Sequence, residues 1–361
     1  MASSTIRLQL EEMMIMKKMT IKEVAKAIGV STATISNAFN RPDQLSESLR
    51  TRILEQCQEL GYVGPSAAGR YLRTGRSGVV GIVLTDRLAY SMNDYVASHF
   101  LSGLADEFDK AHLNMLLLSA RDLDHANRQR LHESMVDGFI VYGFIPPGPT
   151  LEHLKRQQKR LIVVDHKIDG YGSVNIDNRD ASYQIAKHAL KQTPKNPAIL
   201  ALRITSDEGI SQANEETLKT VGLRLSLDRL NGYFDAFDEA EIERPMDQIW
   251  NLHVNDYDEA FKLAYQVLSQ PNRPDLLLCQ SDVIAIAAMR AALQMGIKFP
   301  EELRITGFDG IPEAQAMPKA ITTVQQHSFE KGRMAAKLFI ENKMSEDIVM
   351  PTELLIGESC L

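Results

Sequence analysis

Residues 20–40 read TIKEVAKAIGVSTATISNAFN and carry the signals of two short helices joined by a tight turn. Thr20 stands three residues before Glu23, the spacing of a capping box at a helix start, and the apolar residues that follow recur on one helical face. Gly29 suits the turn because glycine adopts left-handed backbone angles without steric penalty. Ser31 suits the N-cap of the second helix. The stretch therefore predicts a helix-turn-helix.

A third helix should complete this amino-terminal part of the chain. It follows Ser46, and Gly61 is placed to end it. Between them, apolar residues recur at helical spacing and should face inward: Leu49, Ile53, Cys57 and Leu60. Three short helices around one apolar centre predict a small all-α head.

Charge is divided unevenly along the chain. Residues 1–76 hold 11 Lys and Arg against 7 Asp and Glu, whereas the remaining residues hold 29 against 40. The whole chain has a formal net charge of −7, so only its amino-terminal part is basic. This asymmetry is typical of a protein that brings one end to nucleic-acid phosphates.

Beyond residue 78, apolar runs alternate with longer amphipathic stretches, a pattern typical of parallel sheets covered by helices. Strands are predicted at 79–84, 114–119, 138–143 and 160–165, and in a second series at 198–202, 248–252, 275–279 and 303–308. Helices are predicted near 94–111, 124–135, 150–158, 179–191, 229–238, 256–268 and 281–295. The fold class is therefore α/β, with an all-α head and a two-lobed body of doubly wound parallel sheets.

Several stretches resemble the LacI/GalR family of bacterial repressors, and the resemblance covers nearly the whole chain. Residues 20–40 resemble the family's DNA-reading head, and residues 61–77, GYVGPSAAGRYLRTGRS, resemble its hinge. The body resembles the family's sensor domain at RLNGYFDAF (229–237), QSDVIAIAAM (280–289), ITGFDGIPEA (305–314) and ITTVQQ (321–326). The resemblance implies a fold related to periplasmic sugar-binding proteins, in which the chain crosses between the lobes three times.

This family organisation predicts the boundaries of the parts. We expect an extension at 1–18, the head at 19–64, the hinge at 65–77 and an effector-binding and dimerisation domain at 78–361. Within that domain, the first lobe should comprise about 78–176 and 309–336, and the second about 177–308 and 337–361.

The second helix should present to the major groove the face left free by the apolar Ile35. Asn37 lies on this face, and an asparagine amide can bond adenine N6 and N7 together, whereas the family more often has arginine here. Short polar side chains nearby suit phosphate oxygens, although a capping or solvated role is an alternative. The residues predicted to contact DNA are Thr32, Ala33, Thr34, Ser36, Asn37 and Asn40.

A hinge helix at 65–72 should be unstable without DNA, because an isolated helix of this length is marginal in water. The resemblance implies that Leu72 is wedged into a central base step of the minor groove. The alternative role for Leu72 is that of an ordinary core leucine.

A ligand cleft is expected where the strands of the two lobes end, since open parallel sheets bind ligands at their carboxyl ends. Asp282 matches a family aspartate that contacts the effector, although it can also cap the helix it begins. The other candidates are Tyr90, Phe144, His166, Arg203 and Asn255, with packing as the alternative for the aromatic residues. An apparent insertion at 206–226 obscures the alignment at Arg203. The family expectation for the effector is a small polar metabolite such as a sugar or nucleoside.

Other classes of protein are disfavoured by missing motifs. No dinucleotide or phosphate loop, serine elbow or paired metal-ligand motif is found, so no enzyme, cofactor or metal site is expected. A secreted solute-binding protein, the other alternative, should begin with a signal peptide, which residues 1–18 do not resemble. Without a membrane-spanning apolar run and with three widely spaced cysteines, the chain is expected in the cytoplasm.

The predicted function is that of a sequence-specific transcriptional regulator, specifically a repressor. A homodimer should place its two heads on a near-palindromic double-stranded DNA operator. An effector bound between the lobes should change the hinge spacing and, with it, the affinity for DNA.

Overall fold

The computed structural model describes residues 19–64, 69, 71, 75–120, 134–205, 209–214, 216–219 and 224–361. The chain divides into two compact units, Met1–Ser77 and Gly78–Leu361. The predicted extension, Leu72 and most of the predicted hinge helix lie outside the described residues, and so does most of the helix predicted at 124–135.

Three helices build the head: α1 (Ile21–Ile28), α2 (Thr32–Asn40) and α3 (Glu47–Glu59). The predicted capping box starts α1, since the Thr20 side chain accepts from the Glu23 amide and the Glu23 carboxylate accepts from the Thr20 amide. Gly29 ends α1 with a φ of 76°. Ser31 caps α2 by accepting from the Thr34 amide. The predicted helix-turn-helix is confirmed.

Apolar side chains from all three helices form one core in the head. The Phe39 and Tyr62 rings meet edge to face with 5.9 Å between their centroids. The buried members of this core are Val24, Ala25, Ile35, Ala38, Ile53, Cys57 and Tyr62. Because Ile35 points inward, the opposite side of α2 is left for solvent or a partner.

The body contains two large sheets, in which all pairs are parallel except that of one edge strand, and one small antiparallel pair. Its strands are β1 (Val79–Leu84), β2 (Asn114–Ser119), β3 (Gly138–Tyr142), β4 (Arg160–Val164), β5 (Gly172–Ile176), β6 (Pro197–Leu202), β7 (Ile210–Gln212), β8 (Ile249–Leu252), β9 (Leu276–Cys279), β10 (Arg304–Thr306), β11 (Thr323–Gln325), β12 (Asp347–Met350) and β13 (Glu353–Leu355). Its helices are α4 (Leu88–Asn93), α5 (Tyr95–Lys110), α6 (Pro149–Arg156), α7 (Asn178–Ala189), α8 (Arg224–Glu239), α9 (Tyr257–Leu268), α10 (Asp282–Gln294), α11 (Pro312–Gln315) and α12 (Ser328–Ile340).

Each large sheet is covered by helices on both faces, as predicted for a doubly wound fold. The first sheet has the order β12-β5-β4-β3-β1-β2, with α5 and α12 on one face and α6 on the other. The second has the order β10-β9-β6-β8-β7, with α7 and α8 on one face and α9 and α10 on the other. Strands buried on both faces explain the nearly continuous apolar runs in the sequence.

The chain crosses between the lobes three times, but the last two crossings differ from the expected boundaries. Isolated bridges join Thr306 to Thr322 and Asp309 to Gln325, so the segment at 309–325 stays with the second lobe. The first lobe keeps the whole of α12, which packs against α5, and gains β12, which pairs with β5. The expected bounds are therefore wrong for 309–325, which belongs to the second lobe, and for 337–350, which belongs to the first. The reason is that β12 completes the edge of the first sheet before β13 returns to pair with β11.

Five strands had not been predicted: β5, β7, β11, β12 and β13. The strand β7 falls within the apparent insertion at 206–226 and pairs antiparallel with β8. Part of that insertion is thus an edge strand of the second sheet. The strand β5 is only five residues long and contains polar Ser173 and Asn175, which conceal its strand character.

Candidate functional sites

The exposed side of α2 carries most of the residues predicted to contact DNA. Thr32, Ala33 and Asn40 are exposed, and Ser36 and Asn37 are half-buried. The Asn40 amide donates to the Ser36 carbonyl oxygen at 2.9 Å. Among the described residues, no group forms a hydrogen bond with the side-chain amide of Asn37. Its NH2 donor and its oxygen acceptor are therefore both available to a base edge.

Thr34 is held locally within the head. Its Oγ1 lies 2.8 Å from the Ser31 hydroxyl oxygen, and its amide donates to that oxygen at 3.0 Å. This is the capping role named above as the alternative to a phosphate contact.

A cavity of about 290 Å³ lies between the two lobes of the body. Loops that follow β1, β3 and β4 bound it on the first lobe, and loops that follow β6, β8, β9 and β10 bound it on the second. All of these are carboxyl ends of parallel strands, where such sheets bind ligands. The volume is close to the lower end of the roughly 300–1,000 Å³ typical of small-molecule sites.

Five of the six predicted effector contacts line this cavity together: Tyr90, Phe144, His166, Arg203 and Asn255. They come from five separate loops or short helices, three in the first lobe and two in the second, so both lobes contribute to the cavity. Their contact with an effector stays a prediction.

Asp282 does not line the cavity and lies beneath its wall. The side chain is fully buried. Its carboxylate accepts from the Thr323 hydroxyl at 2.6 Å and from the Ile311 amide at 2.8 Å. Asp282 therefore ties α10 to the segment that follows β10, and the cavity is instead lined by the preceding Ser281.

One ion pair joins the two lobes at the cavity. Arg203 follows β6 of the second lobe and Asp86 follows β1 of the first; the guanidinium reaches both carboxylate oxygens at 3.1 and 3.3 Å. Arg203 also donates through Nε to the His253 carbonyl oxygen at 2.9 Å, and its φ is 53°. The backbone conformation of Arg203 and its hydrogen bond to His253, just after β8, thus hold the side chain in an orientation that reaches the first lobe.

Tyr90 and Asp94 form a second polar group on the first-lobe side. Asp94 caps α5 by accepting from the Ala97 amide at 2.8 Å, and the Tyr90 hydroxyl donates to Asp94 at 3.4 Å. Burial raises the pKa of Asp94. Burial, followed by the carboxylates of Asp94 and Asp86, raises the pKa of Tyr90. The Tyr90 hydroxyl therefore keeps its proton at neutral pH.

Asp309 lies in the cavity wall in the segment that follows β10 and is almost completely buried. It accepts from the Gln326 side chain at 2.7 Å and faces Arg229 at 3.5 Å. Burial raises the pKa of Asp309 to about 7, with the Arg229 charge acting against that rise. The Arg229 guanidinium is itself fixed over the Phe308 ring, 3.6 Å from its centroid.

An aromatic pair forms another part of the wall. The rings of Phe144 and His166 meet edge to face with 4.8 Å between centroids. Burial lowers the pKa of His166, so its imidazole is neutral at neutral pH. The pair offers apolar ring surface beside one hydrogen-bonding group.

Sequence reasoning missed several polar residues of the cavity, chiefly Asp86, Asp94, Asp165, Arg229 and Asp309. The signal for Asp309 was present, because it follows a predicted strand within ITGFDGIPEA and so obeys the strand-end rule used for Asp282. Arg229 lies inside a helix, and nothing in its local sequence marks it as part of a cavity.

Neither a metal site nor a membrane span is found in the part of the chain that the structure describes. Within those residues, His, Cys, Asp and Glu form no cluster of three or more suited to a metal ion. No described helix is long and apolar enough to cross a bilayer.

Comparison with known families matches the two units to different models. Residues 20–64 match the bacterial regulatory proteins of the lacI family, and residues 218–360 match a periplasmic binding protein-like domain. These matches agree with the helix-turn-helix head and with the two-lobed body.

Relatives extend the similarity over nearly the whole chain. A helix-turn-helix type transcriptional regulator of Mycolicibacterium smegmatis is 32% identical, over 95% of this chain and 96% of its own length. The crystal structure of a LacI-family regulator from Corynebacterium glutamicum is 25% identical, with a TM-score of 0.70 over 94% of this chain and 98% of that chain. A lac repressor dimer bound to operator and the anti-inducer ONPF shares the fold, at 17% identity with a TM-score of 0.75 over 96% and 100% of the chains. The chain belongs to the LacI family of bacterial transcriptional regulators, which bind DNA and carry an effector-binding sensor domain.

Proposed function

We propose that this protein is a repressor that acts in the cytoplasm as a homodimer on a near-palindromic operator, and that an effector in the cavity between the lobes controls its affinity for DNA. The observation that carries the proposal is the cavity, which is built from polar strand ends of both lobes. A ligand held by both lobes favours one angle between them, and a ligand shifts an equilibrium only by its difference in affinity for the two states. The proposal assigns the cavity to binding rather than to catalysis.

The similarity to the lac repressor supports the dimer and the operator, since that protein was solved as a dimer on its operator with a small molecule bound. The α2 face supports DNA reading, with the free Asn37 amide as its most specific group. Leu72, outside the described residues, is proposed as the minor-groove wedge of the hinge.

The charges of the cavity support an uncharged effector with several hydroxyl groups, such as a sugar or a nucleoside. Asp86 is paired with Arg203, and Asp309 faces Arg229. An ionic ligand would have to break one of these pairs and leave a partly or fully buried charge without its partner, which is unfavourable. A neutral ligand can instead use Tyr90, Asn255 and the carboxylate oxygens as hydrogen-bond partners and place its apolar face on Phe144.

A ligand screen tests this proposal directly. Neutral monosaccharides and nucleosides are compared with their phosphate esters. Two quantities are measured for each compound: the thermal unfolding temperature of the protein and the change in its affinity for the operator. At a hundredfold excess over its Kd, a true effector adds about 2.7 kcal/mol to stability. We expect a neutral compound to act and its phosphate ester to fail. Asn255→Ala should abolish the response without loss of operator binding. A phosphate ester that binds better than its neutral parent would contradict the proposed class of effector.

Asn37→Ala is predicted to weaken binding to the operator by roughly 5- to 150-fold, because one bidentate asparagine–adenine contact contributes about 1–3 kcal/mol of discrimination. Binding to a scrambled duplex should not change, since that binding depends on phosphate contacts. Both Kd values are measured by fluorescence anisotropy. The matched control is Gln58→Ala on the exposed side of α3, which should leave both values unchanged. An equal loss on both duplexes would contradict base reading by Asn37.

Asp309→Asn is predicted to change how stability depends on pH. An unfolded aspartate has a pKa of about 3.9, whereas burial raises that of Asp309 to about 7. Between about pH 4 and about pH 7, the folded state therefore retains a proton that the unfolded chain has released. The free energy of unfolding of the wild type falls across this range, and the destabilisation by Asp309 is absent below it and fully developed above it. Urea unfolding across this range should show the variant gaining on the wild type by up to about 1.4 kcal/mol per pH unit. Parallel stability curves would contradict this account.

A further inference from the structure

A lysine lies fully buried beneath the effector cavity. Lys331 is on α12, a helix of the first lobe, and its side chain is among the largest that are completely removed from solvent; the others are aromatic or aliphatic. Burying an ammonium group is strongly unfavourable unless charged and polar partners replace its water. The partners of this one group therefore explain why a lysine is tolerated here.

The Lys331 ammonium has one partner on each side. It donates to the Asp165 carboxylate at 2.7 Å and to the Gln326 side-chain oxygen at 2.8 Å. Asp165 follows β4 and has a φ of 60°, which is uncommon for a residue other than glycine. Gln326 lies where the chain passes from the second lobe into α12. Lys331 thus connects Asp165, at a strand end of the first lobe, with Gln326, in the segment through which the chain arrives from the second lobe.

The contacts continue from Gln326 into the second lobe. The Gln326 amide nitrogen donates to Asp309 at 2.7 Å, and Asp309 faces Arg229 at 3.5 Å. Five side chains, four of them ionisable and one an amide, therefore form one continuous string from the first lobe to the second: Asp165, Lys331, Gln326, Asp309 and Arg229. Four of them line the cavity, whereas Lys331 lies behind them.

We infer that Lys331 is a positioning residue of the effector cavity: its ammonium fixes Asp165 and Gln326, and through Gln326 it fixes Asp309, so that the cavity floor is built only when both lobes are joined. This inference rests on the proposed role of the cavity as the effector site. An apolar side chain would fill the same space on α12, but it would leave the largely buried Asp165 carboxylate and the Gln326 side-chain oxygen without the ammonium that they bind.

The groups that face this string come from every element around it. The titratable and charged groups are Asp165 after β4, Tyr142 at the end of β3, Asp94 at the N-cap of α5, Arg229 on α8, Asp309 after β10 and Asp282, which begins α10 and interacts with the Asp309 charge. The Lys331 and Arg229 charges both favour the ionised form of Asp309, and Asp94 opposes it. Removing the Lys331 charge consequently leaves an excess of carboxylates in one buried region.

The first experiment measures thermal unfolding of the full chain at about pH 5 and about pH 8 for wild type, Lys331→Met and Lys331→Met/Asp165→Asn. An unpaired buried carboxylate takes up a proton more readily, so Lys331→Met should lose much more stability at the higher pH. The double variant, which removes the unpaired carboxylate, should recover most of that loss. A loss that is equal at both pH values, or a double variant no better than the single one, would show that Lys331 only fills space.

The second experiment uses the double variant to test positioning without relying on a loss of fold. Hydrogen exchange at about pH 8 should be at least tenfold faster in the segments 306–310 and 325–328 than in the wild type, while β1 and β9 keep their protection. Unchanged exchange in both segments would overturn the inference. These measurements need neither effector nor operator, so a wild-type protein that fails to bind DNA would refute the proposed function while leaving this test decided on its own.

Discussion

Seven strands of the two large sheets end at the same cavity, and this constraint determines where most polar groups of the site are placed. A strand of a parallel sheet can be buried on both faces, but its carboxyl end must pass into a loop. Loops lie at the surface, where polar side chains are tolerated because they can contact water or a ligand. Two such sheets whose carboxyl ends face one gap bring together side chains far apart in sequence. Asp86, Asp165, Arg203, Asn255 and Asp309 each follow a strand of the body.

The charges at this gap largely satisfy one another, and each pairing joins elements that the chain places far apart. Asp86 with Arg203 bridges the lobes at one side of the cavity. The string from Asp165 through Lys331 to Asp309 bridges them beneath it. Because a charge that is partly or fully buried is unfavourable without its partner, the two bridges favour a defined arrangement of the lobes. A ligand that adds hydrogen bonds without adding charge can strengthen that arrangement.

Local signals predicted the head well, and long-range contacts explain where prediction failed. The capping box at Thr20 and the turn at Gly29 act within a few residues, so the bounds of α1 and α2 follow from the sequence alone. Asp282 and Asp309 both follow strands, so from the sequence they have the same predicted role. In the folded chain, Thr323 and Ile311 donate hydrogen bonds to the Asp282 carboxylate, whereas Asp309 faces the cavity. The place of β12 in the first lobe depends on pairing with β5, about 170 positions away in sequence. Nothing near Lys331 in the sequence marks it as buried.

In the proposed function, the angle between the lobes of the body controls the affinity of the head for its operator. The first measurement to make is operator Kd for Asp86→Asn, which removes the carboxylate charge that pairs with Arg203 across the two lobes. The matched control is Asp238→Asn, which breaks an exposed ion pair with Arg244 within one lobe. We expect at least about a fivefold change in operator Kd for Asp86→Asn, none for the control and none for either variant on scrambled DNA. An operator Kd that is the same in wild type and both variants would contradict control of the head by the lobe angle.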